Sequence, residues 1–353
     1  MFKTLVNEAT VGVRIEAHGP LLIKAPDTAP IDPTLPDSMF VRTWKDGRLT
    51  VYIPGSSLKG VVRSHAERLL RTWENQARRA GGSPPWTVPI CDPLSEPCRP
   101  GKAPRKGRAE TDAEGGQTDE ERLSGMDAYS RSCPACRTFG NTELAGRLAF
   151  SDFYPVTGEG YADPNRTEVR TGVGISRITQ AAARGRLYQI EAVVRGAFAG
   201  QAHLRNFHLW QLGLLSQVIR DIDEGLVLLG GAKARGFGWV GAAATELSLV
   251  YNRGALGAET MPHSEGRLRL WGYADLGLTG EQGEGQRGRS RVERDLLLWP
   301  PRDTIELDAP PGTVEEVRVG PLLRLRVSDR ALVQRVLDEA AGCLLAALEA
   351  TSR

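Results

Sequence analysis

The sequence has few of the features that mark membrane, secreted or histidine-based proteins. No run of about 18 apolar residues occurs, so no membrane span and no membrane partner are predicted. The first residues lack the apolar core of a signal peptide, and we therefore expect a cytoplasmic protein. Only five cysteines and five histidines occur among the 353 residues.

Common signatures of nucleotide hydrolysis and of histidine catalysis are also missing. The Walker A pattern is absent, so ATP hydrolysis is not expected. No HExxH helix and no Ser-His-Asp order occur, and the histidines are widely scattered, which gives histidine-based hydrolase chemistry little support. The glycine-rich segment 229–238 follows a helical pattern instead of a first strand, so it does not fit a dinucleotide-binding fingerprint.

Overall charge does not predict a nucleic-acid partner. The 45 Lys and Arg residues nearly balance the 43 Asp and Glu residues, which leaves a net charge of +2. Basic residues are concentrated locally, because segment 177–205 contains five arginines and one acid, Glu191. Lys233 and Arg235 lie in a second such segment. Local positive stripes on a neutral body suit a polyanion that lies along one face.

Four of the cysteines form two close pairs, Cys91 with Cys98 and Cys133 with Cys136. A CxxC turn directs two thiolates to one point, and a second pair can complete a closed tetrahedral zinc site. The intervening residues 99–132 have almost no apolar run, so a structural Zn²⁺ would hold them in place. A redox pair or a disulfide is the alternative, and His65 could replace one cysteine ligand. Cys343 lies on an apolar helical face and is expected to be buried.

Hydrophobic periodicity predicts an α+β fold with β-α-β-β-α-β order, the ferredoxin-like arrangement. The first strand contains Val11, Val13 and Ile15, and a helix follows over about 58–75. A strand near 148–153, a strand through Tyr188–Val194, a helix near 207–224 and a strand after Phe237 complete the order.

The segment 251–353 is predicted to be a C-terminal extension of unknown role beyond a domain at 1–250. Its charged, glycine-rich stretch 276–296 is typical of an exposed loop. Ser328 is predicted to cap a final helix. No repeat and no catalytic motif occur there.

Two segments have the character of phosphate-binding sites. Ser56 and Ser57 lie at a predicted helix start, where free backbone N–H groups and the helix dipole attract anions. Lys59 and Arg63 extend this positive ridge by one turn. In the second segment, glycines would let the backbone approach a polyanion while Lys233 and Arg235 contact phosphates. An ordinary helix cap with a solvated lysine is the alternative for the first segment.

Five segments in order resemble a known family, the RAMP superfamily of CRISPR-associated proteins. The likeness is greatest to the backbone subunit of type III effector complexes, and it covers about residues 8–250. The segments are IPGSSLKG at 53–60, CPACRTFG at 133–140, AGRLAFSD at 145–152, ISRITQAAARG at 175–185 and GGAKARGFG at 230–238.

This resemblance implies a ferredoxin-like RNA-binding core that polymerises along CRISPR RNA with copies of itself and other effector subunits. It also implies a thumb hairpin at about 160–186, beyond a zinc-binding insertion at about 80–140. The thumb would displace a nucleotide of the guide–target duplex, with Ile178 as a candidate wedge. The alternative is that Ile178 packs into the core of its own domain. Its arginines, Arg166, Arg170 and Arg177, would contact RNA.

The resemblance further implies cleavage of target RNA by an aspartate that precedes an arginine, upstream of IPGSSLKG. Asp37 fits this pattern best, with Arg42 as the arginine, and Asp32 and Asp27 are the fallback candidates. A carboxylate in a loop that prolines make rigid can bind Mg²⁺ or Mn²⁺ through water, beside a phosphodiester. The alternative is that Asp37 only caps a turn.

The sequence therefore predicts an RNA-guided ribonuclease subunit that binds CRISPR RNA and target RNA. Two other hypotheses remain open at this point. One is a subunit of the same complex that binds RNA without cutting it, and the other is a zinc-stabilised RNA-binding protein outside CRISPR.

Overall fold

The computed structural model of the protein describes residues 4–26, 35–100, 125–158, 160–256, 262–264, 266–276, 300 and 302–349. The fallback candidates Asp27 and Asp32 lie outside these residues. Nearly all of the charged segment 276–296 lies outside them as well.

Six α-helices and fourteen β-strands occur in the described residues. The helices are α1 Gly55–Arg79, α2 Gly125–Ser130, α3 Pro134–Phe139, α4 Leu209–Asp223, α5 Tyr273–Leu276 and α6 Arg330–Glu349. The strands are β1 Asn7–Ala17, β2 Arg42–Lys45, β3 Arg48–Val51, β4 Leu148–Phe150, β5 Tyr154–Pro155, β6 Thr167–Ile175, β7 Ala182–Val193, β8 Ala197–Arg205, β9 Val240–Asn252, β10 His263–Ser264, β11 Arg267–Trp271, β12 Thr304–Asp308, β13 Val314–Val319 and β14 Leu322–Val327. Among these helices, none has the length and apolar character needed to cross a membrane.

The main sheet has seven strands in the order β13-β14-β9-β1-β8-β4, and β5 also pairs with β8. Every neighbouring pair in it is antiparallel. β1 lies inside the sheet because its alternate residues are apolar, and Val11, Val13 and Ile15 are all buried. The predicted mixed α+β class is confirmed.

Helix α4 joins the sheet to the C-terminal helix. Trp210, Leu214 and Val218 are buried along it, and burial of side chains of this kind stabilises the fold by about 2 kcal/mol each. Gly213 allows α6 to cross at close range, since a Cβ there would lie 2.1 Å from the backbone oxygen of Ala340. A larger residue at this position would force the two helices apart.

Residues beyond 251 are integrated with the rest of the chain. Strand β14 pairs with β9 inside the main sheet, and Asp303 binds the start of α4. The Asp303 carboxylate accepts hydrogen bonds from the backbone N of Leu209 at 2.7 Å and of Ala274 at 2.8 Å. It also lies 2.9 Å from Nδ1 of His208, and burial lowers the pKa of this histidine. A neutral His208 therefore donates to Asp303.

Two local predictions are wrong. The strand through Tyr188–Val194 does not belong to the main sheet, because β7 pairs with β6 in a separate hairpin and β8 is the sheet strand. Ile190 and Ala192 alternate as in a sheet strand because the hairpin base packs on Leu22 and Phe237. The final helix is capped by Asp329 instead of Ser328, since Oδ1 of Asp329 accepts from the backbone N of Leu332 at 2.7 Å.

Candidate functional site

The four cysteines of the predicted metal site lie together. Their Sγ atoms are all within 4.8 Å of one another. Cys91 Sγ is 3.5 Å from Cys136 Sγ and 3.7 Å from Cys133 Sγ. These distances are far too long for a disulfide bond of about 2.05 Å, and all four residues are free cysteines.

Local structure explains why the thiol groups converge. Cys133 is the N-cap of α3 and Pro134 begins the helix, so Cys136 returns to the same side one turn later. The backbone N of Cys136 donates to Cys133 Sγ at 3.5 Å, and the backbone N of Cys133 donates to Cys98 Sγ at 3.4 Å. Contact with the Cys136 thiol lowers the pKa of Cys133, whereas the same contact raises the pKa of Cys136.

This donor set fits a metal ion such as zinc. Zinc–sulfur bonds of about 2.3 Å in a tetrahedron place neighbouring sulfurs about 3.8 Å apart. The separations of Cys91 Sγ from Cys136 Sγ and from Cys133 Sγ, 3.5 and 3.7 Å, are close to this value. Cys133 and Cys136 are fully buried, as a closed structural site requires. His65, the alternative ligand, contacts the Asp221 carboxylate through Nε2. Within the described part of the chain, no other group of three or more metal-binding side chains occurs.

A cavity of about 600 Å³ brings the two predicted phosphate-binding segments together. Ser57 lines it from α1, and Gly230, Gly231 and Lys233 line it from the glycine-rich segment. Lys24 and Arg68 add further cations, and the described lining contains no Asp or Glu. Its chemistry therefore favours an anionic ligand.

Positive charges lie close together at two lysines, Lys59 on α1 and Lys233 in the cavity lining. Burial, together with the nearby Arg63, lowers the pKa of Lys59, which lies on the first turns of α1. Burial and the nearby Arg68 likewise lower the pKa of Lys233. An anion bound beside Lys233 and Arg68, which both line the cavity, would relieve the repulsion between them.

The start of α1 is less open to phosphate than the sequence suggests. The backbone N of Gly55 donates to the Asp152 carboxylate at 2.9 Å. A carboxylate at a helix N-terminus neutralises part of the positive dipole. Ser56 and Ser57 are exposed beside it, so the hydroxyl groups remain accessible to a ligand.

The glycine-rich segment needs its glycines for close backbone contact. Gly230 has φ +73°, and a Cβ there would lie 2.1 Å from the backbone oxygen of Leu22. A short 3-10 turn, Lys233–Arg235, follows. The Arg235 guanidinium lies 4.6 Å from the centre of the Tyr188 ring on the hairpin, so the segment reaches both the cavity and the hairpin.

The hairpin of β6 and β7 has two chemically different faces. Alternation along the strands places Arg170, Gly172 and Gly174 opposite Ile190, Tyr188 and Arg186, respectively. We call this side the cationic face; it comprises Arg170, Arg186 and Tyr188, with Arg235 against the tyrosine. The apolar face comprises Val169, Val173 and Leu187, all of them exposed.

The hairpin places the predicted thumb residues in solvent. It spans 167–193, so the predicted range 160–186 overlaps most of it. Ile178, at the tip between the strands, has 95% of its surface exposed. Arg166, Arg170 and Arg177 are exposed as well. An apolar side chain this exposed is available for contact with another molecule.

Asp37 lies at the edge of the hairpin. Its Oδ2 atom accepts a hydrogen bond of 2.7 Å from the backbone N of Gln189 in β7. Ser38, next to it, donates its backbone N to the oxygen of Gln189 at 3.1 Å. The Asp37 side chain is exposed, so the carboxylate is held in place while it remains accessible.

Arg42 has a structural partner. It makes a bidentate ion pair with Glu191 of β7, in which Nη1 donates to Oε2 at 2.8 Å. Thr167 Oγ1 and the backbone N of Phe40 also donate to this carboxylate, at 2.7 and 2.9 Å. Burial alone would raise the pKa of Glu191, but these hydrogen bonds outweigh burial and hold it below the ordinary value.

Several residues of the site are not indicated by any pattern in the sequence. Arg68 and Lys24 line the cation-lined cavity, yet neither lies in a recognisable motif. Tyr188 and Arg186 belong to the cationic face, although the alternating pattern around them predicted a sheet strand. Glycines at 172 and 174, opposite a tyrosine and an arginine, are the one signal that would have indicated a flat face.

Comparison with family models identifies the chain. The model of the RAMP superfamily matches residues 14–241, which is more than half of the sequence. The chain belongs to the RAMP superfamily. Membership indicates an RNA-binding function associated with CRISPR systems. The match ends within β9, so the RAMP region includes the cysteines, the cavity and the hairpin. Comparison with curated proteins gives no significant match.

Proposed function

We propose that this RAMP protein is a backbone subunit of a type III CRISPR effector complex, and that it binds CRISPR RNA in the cavity between α1 and the glycine-rich segment. The cavity carries this proposal because it combines three cations, Lys24, Arg68 and Lys233, with no described acid in its lining. Phosphates need such a lining, whereas base identity does not matter to it. Binding should therefore depend little on RNA sequence.

A ferredoxin-like core is part of this proposal. Strands β9, β1, β8 and β4 are adjacent in the sheet, in that order. In chain order these are the fourth, first, third and second strands of the predicted β-α-β-β-α-β pattern, with α1 and α4 as its helices. All neighbours are antiparallel, as that arrangement requires. β13 and β14 would then be an addition from the C-terminal segment.

The hairpin is proposed to act as the thumb that contacts the guide–target duplex. Its cationic face suits the phosphate backbone, and Ile178 is exposed at the tip. An apolar side chain can insert between bases and unstack them, as in other proteins that deform nucleic acids. Copies of this chain, together with other effector subunits, would repeat the contact along CRISPR RNA.

Cleavage of target RNA by Asp37 is the second part of the proposal. The carboxylate is exposed and is fixed by the backbone of Gln189. A single carboxylate fits Mg²⁺ or Mn²⁺ only if water supplies most of the ligands, which is common for these cations. When bound, the ion would neutralise charge on the phosphate. Asp37 would orient that ion and the phosphate beside the hairpin.

A subunit that binds RNA without cutting it is the alternative within the same family. The hydrogen bond from Gln189 to Asp37 favours this alternative in one respect, because it gives the carboxylate a structural role. The family match argues against an RNA-binding protein outside CRISPR.

Binding of labelled CRISPR RNA to the purified chain at several salt concentrations tests the RNA proposal. Lys233→Gln removes one cation from the cavity, so the slope of log affinity against log salt should fall by about 0.7. Arg79→Gln, at the exposed far end of α1, is the matched control and should leave the slope unchanged. An unrelated RNA of equal length should respond in the same way. Equal slopes for the wild type and Lys233→Gln would contradict the proposed phosphate cavity.

A further inference from the structure

Helix α1 turns a row of charged side chains toward the cysteine segments. Arg63, Glu67 and Arg71 are spaced four residues apart, so they share one face of the helix. Glu74 continues this face, and both Glu67 and Glu74 are buried. Buried carboxylates are rare unless they are paired. This face is therefore built for specific polar contacts, not for solvent.

The contacts go to the segments that carry the cysteines. Arg71 Nη2 donates to the backbone oxygen of Cys91 at 3.0 Å. Glu74 Oε2 accepts from the backbone N of Ile90 at 3.0 Å. The row on α1 thus holds the chain directly before the first ligand as well as the first ligand itself.

Arg63 reaches the sulfur atoms. Its Nη2 atom lies 3.6 Å from Cys136 Sγ, and its Nη1 atom donates to the backbone oxygen of Gly140 at 3.0 Å. Nε donates to Glu67 Oε1 at 2.7 Å. The side chain is only 22% exposed, so all three edges of the guanidinium are engaged within the protein.

We propose that Arg63 is a positioning residue of the metal centre, donating to the Cys136 thiolate, and not a phosphate contact. The inference rests on the proposed four-cysteine metal site. Four thiolates around one Zn²⁺ leave a net negative charge in a buried place, and such charge needs a compensating donor. Arg63 is the guanidinium that contacts a sulfur of the cluster. Outer groups of this kind orient the ligands and raise metal affinity.

The same geometry links metal occupancy to the RNA site. A second cavity, of about 770 Å³, is lined by Arg63, Cys91 and Cys98. Gly60 and Ser64 of α1 line both this cavity and the cavity proposed for RNA. Loss of the metal would weaken the contact of Arg63 with Cys136, while the contacts of Arg63 with Glu67 and Gly140 would remain. An effect of Arg63 on RNA binding would then arise through the metal.

Zinc affinity of the full-length protein tests this inference without any RNA. Zinc is titrated against a chromophoric chelator for the wild type, Arg63→Met, Arg63→Lys and Arg79→Met. We expect Arg63→Met to bind zinc about 10- to 100-fold more weakly. The zinc affinity of Arg63→Lys should lie between those of Arg63→Met and the wild type, because lysine keeps the positive charge but lacks the paired N–H donors of the guanidinium. Arg79→Met should match the wild type, and the thiolate-to-metal absorption of the cobalt-substituted protein should shift only in the Arg63 variants.

Three outcomes would overturn the inference. The first is purified protein without metal, and the second is wild-type zinc affinity in Arg63→Met. The third is a zinc-saturated Arg63→Met protein whose RNA salt slope falls as it does for Lys233→Gln, since that would make Arg63 a phosphate contact. If Arg63→Met does not fold, Arg63→Lys carries the test alone. Failure of RNA binding in every variant would refute the proposed function while leaving the zinc titration intact.

Discussion

Arg42 and Glu191 join the loop that carries Asp37 to the base of the hairpin. Nη1 and Nη2 of Arg42 both donate to the Glu191 carboxylate. The backbone N of Phe40 and Oγ1 of Thr167 donate two further hydrogen bonds to the same carboxylate. The hydrogen bond from Gln189 to Asp37 lies two residues along the same strand. The position of the candidate catalytic carboxylate therefore depends on an ion pair that connects two distant segments of the sequence.

Removing the charge of Glu191 should loosen this junction. Glu191→Gln leaves Arg42 without its ion pair, and breaking a partly buried pair should lower the free energy of unfolding by about 2 kcal/mol, less than for a fully buried pair because Arg42 is partly exposed. Urea denaturation measures the change. Glu168→Gln, on the exposed part of β6, is the control and should change stability by less than about 0.5 kcal/mol. Equal stability of both variants would contradict a structural role for the pair.

The contribution of Glu191 should depend on pH. Its pKa lies below the ordinary value of 4.5 in the folded protein. The stabilisation is therefore fully present above that value and is lost as the pH falls through the lowered pKa. The stability difference between the wild type and Glu191→Gln should be constant from pH 6 to 8 and shrink below about pH 4. If the stability difference between the two proteins grew as the pH fell, the pKa of Glu191 would be raised and not lowered by folding, and the prediction would be refuted.

The two hairpin faces should respond differently to the same change of charge. Arg186→Gln and Val173→Glu each lower the net charge by one, on the cationic and the apolar face, respectively. We expect the first to reduce the salt slope of RNA binding by about 0.9, the value for one phosphate contact on a duplex, and the second to leave it unchanged. Fluorescence anisotropy with a short RNA duplex measures both. A larger fall for Val173→Glu would place RNA on the apolar face.

One zinc ion per chain is expected, and it should depend on the four clustered cysteines. Cys98→Ser should lose most of the metal and unfold at lower temperature, because the segments it joins have little apolar surface of their own. Cys343→Ala is the control, since this buried cysteine lies on α6 and burial raises the pKa of its thiol to about 11. Metal analysis of both proteins by mass spectrometry decides. Full zinc content in Cys98→Ser would remove this residue from the site.

Asp37 should matter for cleavage and not for binding. Asp37→Asn keeps an oxygen that can accept from Gln189, but it removes the charge that would hold a divalent cation. Loss of a metal ligand should lower the rate of target RNA cleavage by about 10³-fold, equivalent to several kcal/mol in the transition state. The reconstituted complex, assayed with labelled target RNA with and without a chelator, gives the measurement.

The outcome of the Asp37 experiment separates three cases. Loss of cleavage in both Asp37→Asn and Asp37→Ala supports the catalytic assignment. Loss in Asp32→Ala alone would move the site five residues upstream. Unchanged cleavage in all variants would mean that the subunit only binds RNA. Target binding serves as the control in every case.

Local spacing was enough to predict the cluster of cysteines. Cys133 and Cys136 converge because a single helical turn separates them, and this holds in almost any fold. The apolar stripe of α4 was predicted for a similar reason, since Trp210, Leu214 and Val218 repeat at helical spacing. By contrast, the sequence wrongly predicts that β7 belongs to the main sheet. The alternation of Ile190 and Ala192 is the same in a sheet strand and in a hairpin whose base is buried.

The functions of the arginines depended on tertiary structure. The resemblance predicts an RNA role for Arg42, and its place one turn after Lys59 predicts a phosphate contact for Arg63. In the structure, Arg42 pairs with Glu191 and Arg63 contacts Cys136. Both partners are far away in the sequence, so no local pattern indicates them. Arg68 shows the opposite case, because only the folded chain brings it to the cavity beside Lys233.

The sequence by itself determined the family, the α+β class, the four cysteines that cluster and the two segments that meet at the cavity. These features depend on short-range spacing and on the order of motifs, and both can be taken directly from one sequence. Only the tertiary structure decided that β8 replaces β7 in the sheet, that residues beyond 251 complete that sheet, and which cations line the cavity. A charged side chain takes its role from its nearest partners, and folding brings those partners from segments more than a hundred residues apart, as it does for Arg42 and Glu191.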